Sequence, residues 1–393
     1  MVAPRRKRAP PPRIKRPEMK PSTSINKNRL HKLLTSLIDI YSPTGKEVEA
    51  LKYIENYLKR AGFVLERQKV DEERYNLILH SDLKSPQCVF IGHIDTVFAY
   101  DYDHYEHQIE GDEIFGLGSS DMKGGCAAMI EAFVSLKENG VDHIPATLAI
   151  VVGEEETNDG AIMFSKDHHF PWAIIGEPTA LVPCLSHYSY LETKLTTLGK
   201  RMHASVADRK DNPVQAMLSL LTDVIEFLNI NRPEVVYNIR DVSSAHCGFA
   251  VPGGCDAFLD FHFHPDLSAE IVTTELEEVY NQFKQKHPSV NGEMTFLTIH
   301  SGYQLPDKGK LPEIVKHIYQ ARGLPWKPGD FPSHSDANFL WAAGIKTILL
   351  GPGTIEKAHT EDESVFFSQV RSAAEIYLEI LCAWGRATLT GCN

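Results

Sequence analysis

Apolar positions in the first part of the chain follow two rhythms. Residues 29–41 (RLHKLLTSLIDIY) carry them at helical spacing, and Ser42-Pro43 ends the predicted helix. Thr44-Gly45-Lys46-Glu47 has the spacing of a capping box. A stripe of Val48, Leu51, Ile54 and Leu58 follows, then a terminating Gly62. Short apolar runs at 75–80, 88–92, 147–152 and 173–176 predict strands, and 123–139 predicts a helix between them. Strands alternating with helices predict an α/β domain with a mostly parallel central sheet flanked by helices.

The rhythm changes near residue 187. Segments 190–199 and 255–264 alternate apolar and polar residues, as strands buried on one face do, and helical patterns at 213–229 and 268–286 lie between and after them. The α/β pattern returns near 295, with IKTILLG at 345–351 and a closing helix over about 365–388. The expected organisation is a tail at 1–25, a domain at 26–184 and 295–393, and a smaller α+β domain inserted at 185–294.

Charge sharpens this division. Residues 1–20 hold eight Lys/Arg, one Glu and five Pro with no apolar period, and are expected to be disordered. Residues 21–393 hold 32 basic against 51 acidic residues, a balance of −19 that argues against a binder of phosphate backbones. The expectation is therefore no nucleic-acid partner. No run approaches the ~18 consecutive apolar residues of a membrane span, and the tail lacks the apolar core of a signal peptide. Seven cysteines without a C-x-x-C pair fit a reducing compartment, so a cytoplasmic protein without a membrane partner is expected.

Candidate chemistry gathers where the predicted strands end, the place where open α/β sheets bind ligands. His93 and Asp95 follow strand 88–92, a metal ligand beside an acid able to orient it. The glycine-rich run 116–125 matches neither dinucleotide nor phosphate loops, and the carboxylate of Asp121 in its middle favours a cation. Glu154-Glu155-Glu156 follows strand 147–152. In isolation such a run reads as first-turn acids favoured by the helix dipole; beside a metal it offers a ligand and a general base as neighbours. Glu177 ends strand 173–176, and His359 follows strand 345–350. Two His plus carboxylates without Cys suit two borderline divalent ions bridged by a carboxylate.

The motifs GHIDTV, GLGSSDMKGG, EEETNDGA and GEPT, then HAS, SDA and GPGTIEKAHTEDES, occur in the order seen in the co-catalytic zinc family of aminoacylases, carboxypeptidases and amino-acid deacylases, which the chain resembles over about residues 30–388. The closing run is most similar to acetylornithine and acetylcitrulline deacetylases; the stretch from 92 to 125 is also similar to glutamate-releasing carboxypeptidases. The resemblance implies that His93 and Glu177 hold one metal ion and Glu155 and His359 the other, with Asp121 bridging. Zinc is the implied metal, with cobalt as a substitute. It also implies that Asp95 orients His93 and that Glu154 is the general base, the pair 155/156 being the other register of the run. His203 matches a lid histidine that reaches across a homodimer to the scissile carbonyl, and the inserted domain then becomes a lid and dimerisation domain.

Two positions depart from the family pattern. Phe249 stands where an Asn is common and His262 where an Arg is common, both residues that help bind the substrate carboxylate. Either another cation such as Lys200 or Arg201 takes that part, or the substrate differs. The reading is an amidohydrolase acting on an N-acyl amino acid. A metallocarboxypeptidase or dipeptidase acting on a short peptide, and a non-catalytic protein on the same fold, are the alternatives.

Overall fold

The computed structural model describes residues 24–99, 105–141, 143–207, 212–245 and 248–390; the tail lies almost wholly outside them. Four parallel strands form the centre of the large sheet, in the order Thr147–Val151, Cys88–His93, Trp172–Ile175 and Lys346–Leu349. They are buried on both faces apart from the first positions of the last two, Trp172 and Lys346, which is why they read as continuous apolar runs rather than alternations. Tyr75–Leu79 and Glu66–Lys69 extend one edge antiparallel. Cys184–His187, Tyr303–Gln304 and Gly329–Phe331 complete the other, so the sheet is mixed with a parallel core. Helices Gly124–Glu138 and Phe367–Thr390 pack together over it.

The first two helices differ from the sequence expectation in detail. Lys27–Ile38 stops three residues short of Tyr41, capped at Asp39. Val48–Arg60 begins where expected but without a capping box. The Thr44 hydroxyl instead donates to Asp95 Oδ2 at 2.8 Å, because that fully buried carboxylate has no water to turn to.

A separate antiparallel sheet, ordered Val236–Ser244, Gly254–Phe263, Ser189–Leu198 and Asn291–His300, carries helices Pro213–Asn231 and Ala269–Lys286 on one face. Leu191, Leu195, Leu220, Phe261 and Phe283 fill the space between. The strict alternation of the two middle strands leaves their other face partly open. This sheet starts at Ser189 and ends at His300, six residues beyond the expected boundary at 294, because Thr295–His300 continues to pair with the strand from Tyr190. Among the described residues, Pro213–Asn231 alone has the length and apolar content of a membrane span, and its buried stripe of Met217, Leu220, Val224 and Leu228 packs on the sheet.

His187 lies where the chain leaves the large sheet for the second unit. Its Nδ1 donates to the Tyr188 carbonyl (2.9 Å), its Nε2 accepts from Ser335 Oγ (2.8 Å), and Tyr303 stacks on the ring. Burial lowers its pKa to about 4. The unfolded chain therefore takes up a proton that the fold refuses, so stability is full above pH ~6.5 and falls toward pH 4 by ~1.4 kcal/mol per unit. Urea unfolding at pH 7 and pH 5 is expected to show this slope, and His187→Gln to flatten it. An unchanged slope in the variant refutes the assignment.

Candidate metal centre

Each candidate ligand leaves the end of a central strand or the loop beside it. His93 is the last residue of its strand, and its Nδ1 donates to the Asp95 carbonyl at 3.1 Å, which turns Nε2 toward the carboxylates. Asp121 lies in the turn between Gly118 and helix Gly124–Glu138. The start of that helix and the loop after Lys346–Leu349 both sit tightly on the end of strand Trp172–Ile175: a Cβ on Gly125 or on Gly351 would stand 2.1 Å from the Gly176 carbonyl oxygen. Only glycine permits the approach, and it brings Asp121 and Glu177 beside the same imidazole.

The distances define three trios, two of which share Asp121. His93 Nε2 lies 3.2 Å from Asp121 Oδ1, 3.9 Å from Glu177 Oε1 and 3.8 Å from Glu154 Oε2. His359 Nε2 lies 2.9 Å from Glu155 Oε2 and 3.6 Å from Asp121 Oδ2. The two trios that share Asp121, His93–Asp121–Glu177 and Asp121–Glu155–His359, each have ligand atoms close enough to converge on one ion, as does the third, His93–Glu154–Glu155, which shares a residue with each of them. Glu156 is exposed and belongs to none of them. Asp121 does not cap the helix that follows; its carboxylate faces the two histidines. His359 holds φ 60°, a left-handed conformation that costs a non-glycine residue about 1–2 kcal/mol.

The electrostatics fit a cation. Burial pushes the carboxyls of Glu154 and Glu177 well above their ordinary range, and that of Glu155 upward. Burial alone would lower His93 and His359, yet the surrounding carboxylates outweigh it, holding His93 well up and His359 at about 9. Glu177 Oε1 is buried with no hydrogen-bond partner. Acids crowded around two imidazoles, with an orphaned oxygen among them, are relieved by positive charge at their centre. The donors are nitrogen and oxygen, and the buried Cys126 thiol nearby, pushed up to about 12 by burial, donates to the His93 carbonyl instead.

Asp95 does more than the sequence suggested. Its carboxylate stands 3.6 Å from His93 Nδ1 and accepts from the backbone N–H groups of Glu154 (3.2 Å) and Glu155 (3.0 Å), so it fixes the turn carrying both acids. Glu363 has a matching part that the sequence reading missed. It accepts from the N–H groups of Gly118 (2.8 Å), Ser120 (2.9 Å) and Asp121 (3.0 Å), clamping the turn that presents Asp121, and burial raises its pKa to about 7. In sequence it is one of three consecutive acids, with nothing local to single it out. Asp336 beneath the cluster accepts from Asn158 Nδ2 at 3.0 Å, and burial raises it likewise to about 7. His203 is apart from the cluster: exposed on the second unit, it bonds Ser205 Oγ at 2.8 Å.

A family model described as peptidase family M20/M25/M40 matches residues 89–383. The chain belongs to this family. Like other members of the M20 peptidase family, it is a metal-dependent hydrolase, and the cluster of His, Asp and Glu is where metal would sit. An acetylornithine deacetylase of Photorhabdus laumondii is 27% identical over 352 residues, covering 84% of this chain and 89% of its own. A probable succinyl-diaminopimelate desuccinylase of Staphylococcus epidermidis is 26% identical over 66% of this M20 chain and 62% of its own. Among solved structures, a tripeptidase of Staphylococcus aureus superposes with a TM-score of 0.77 at 21% identity, over 92% of this chain and 99% of its own. A dinuclear metal-binding M20 peptidase of Bacillus subtilis shares the fold at a TM-score of 0.66 and 12% identity, over 90% and 97% of the two chains.

Proposed function

We propose that the protein removes the acyl group from an N-acyl-L-amino acid, as acetylornithine deacetylases do, with two zinc ions as its metal complement and cobalt as a working substitute. The observation that carries the reading is a centre, buried at His93, Asp121 and Glu177 and open to solvent at His359, with two ligand trios that share Asp121 and a further carboxylate, Glu154, beside them. Relatives named acetylornithine deacetylase, matching over four fifths of the chain, support the substrate class. Bound there, two divalent ions supply Lewis acidity and make a water nucleophilic at neutral pH.

In this reading His93, Asp121 and Glu177 hold one ion and Asp121, Glu155 and His359 the other. Glu154 Oε2 takes a proton from the attacking water and returns it to the departing nitrogen, a task suited to a carboxylate whose pKa burial has raised. Asp95 keeps His93 and the Glu154–Glu155 turn in place. The exposed His203 has its place at the centre of a second copy, in a homodimer formed through the lid. The five described cysteines are all free and buried, which supports a cytoplasmic setting.

A panel of N-acyl amino acids and dipeptides, assayed with added Zn²⁺ or Co²⁺, tests the substrate class. Release of acetate and free amino acid from N-acetyl-L-ornithine is the expected result, abolished by chelation and restored by metal. Turnover of dipeptides alone would favour the peptidase reading, to which the tripeptidase and dipeptidase among similar folds lend support.

A further inference from the structure

A cleft of about 740 Å³ lies between the centre and the open face of the lid sheet. Glu154 and Glu155 line it from one side, and Tyr190, Arg240, Leu297 and His300 from the lid. Among the described residues lining it, Arg240 is the one Lys or Arg. Its histidines, His300 and His334, stand 2.7 Å apart at ring nitrogens, and burial lowers the pKa of both. Arg240 thus brings the one permanent positive charge among these described residues to a wall otherwise made of carboxylates, neutral polar groups and apolar side chains.

The backbone and its neighbours aim this arginine. The edge strand shifts register between Ile239 and Asp241, so Arg240 occupies a bulge. Its guanidinium lies over the Phe258 ring at 5.9 Å, and Nη2 donates to Glu192 Oε1, while Glu192 Oε2 accepts from Thr298 Oγ1 at 3.3 Å. A carboxylate held by a third residue orients the fork without occupying all five of its N–H groups. Lys200 and Arg201, expected from the sequence as substitutes for a cation at 262, are exposed and do not line the cleft.

We infer that Arg240 is the specificity residue that receives the substrate's α-carboxylate, with the acyl amide toward Glu154. Arg240 thereby selects N-acyl amino acids over neutral amides. The inference rests on the N-acyl amino acid reading for its ligand, but binding tests it separately from turnover.

Calorimetry compares N-acetyl-L-ornithine with its carboxamide on wild-type protein, Arg240→Met and Arg240→Lys, alongside KM and kcat for both compounds. The wild type is expected to bind the acid at least tenfold more tightly than the amide. Arg240→Met should lose that preference through Kd and KM rather than kcat, and Arg240→Lys should recover part of it, since charge survives without the fork. An Arg240-dependent preference in binding without any turnover leaves this inference standing and removes the deacylase reading. A wild type indifferent to the carboxylate, or an Arg240→Met variant that keeps the preference, overturns it.

Discussion

Glu154→Gln is expected to lower kcat for the N-acyl substrate by about 10³-fold or more while metal content stays at the wild-type level. The substitution keeps shape and removes only the capacity to take a proton. Glu154 is the acid of the cluster that joins neither Asp121-centred trio, lying 3.8 Å from His93 Nε2 and facing the cleft. Rate profiles against pH sharpen the test. In the wild type kcat/KM should rise with pH as the Glu154 carboxyl ionises, above the usual carboxylate range because burial raises it, and the residual activity of the variant should lack that limb. A variant with normal turnover would exclude Glu154 as the base.

Asp121→Asn is expected to act on both ions at once. Its two oxygens face different histidines, Oδ1 toward His93 and Oδ2 toward His359, and removing the charge leaves each trio one anion short. Metal measured by mass spectrometry should fall to at most half of the wild-type content, with activity below detection. Metal-induced thermal stabilisation should shrink with it, since a ligand stabilises the fold only as tightly as it binds. Full metal content in the variant would show that Asp121 does not bridge.

The fold was legible wherever burial is two-sided. Strands such as Cys88–His93 and Thr147–Val151 read as unbroken apolar runs, and the polar residues just beyond them marked the sheet end that carries the centre. Candidate ligands at strand ends were thus visible one by one. Their supports were not, because tertiary contact alone defines them. Thr44 carries a capping signal that the buried Asp95 outcompetes, and Arg240 is an ordinary edge-strand arginine until the cleft is seen. The lid's last strand overran its expected end because pairing partners, not local pattern, decide where a strand stops.

The clamp of Glu363 on the turn at 118–121 bears on how the protein is made. The hydrogen bonds span 242 to 245 residues of chain, and His359 is as distant from its partner Glu155 as the inserted lid requires. A nascent chain that has not yet released this segment from the ribosome carries His93, Asp121, Glu155 and Glu177 but neither the last candidate ligand, His359, nor the clamp. On the proposed ligand set, the complete centre is therefore assembled only after the lid has been synthesised.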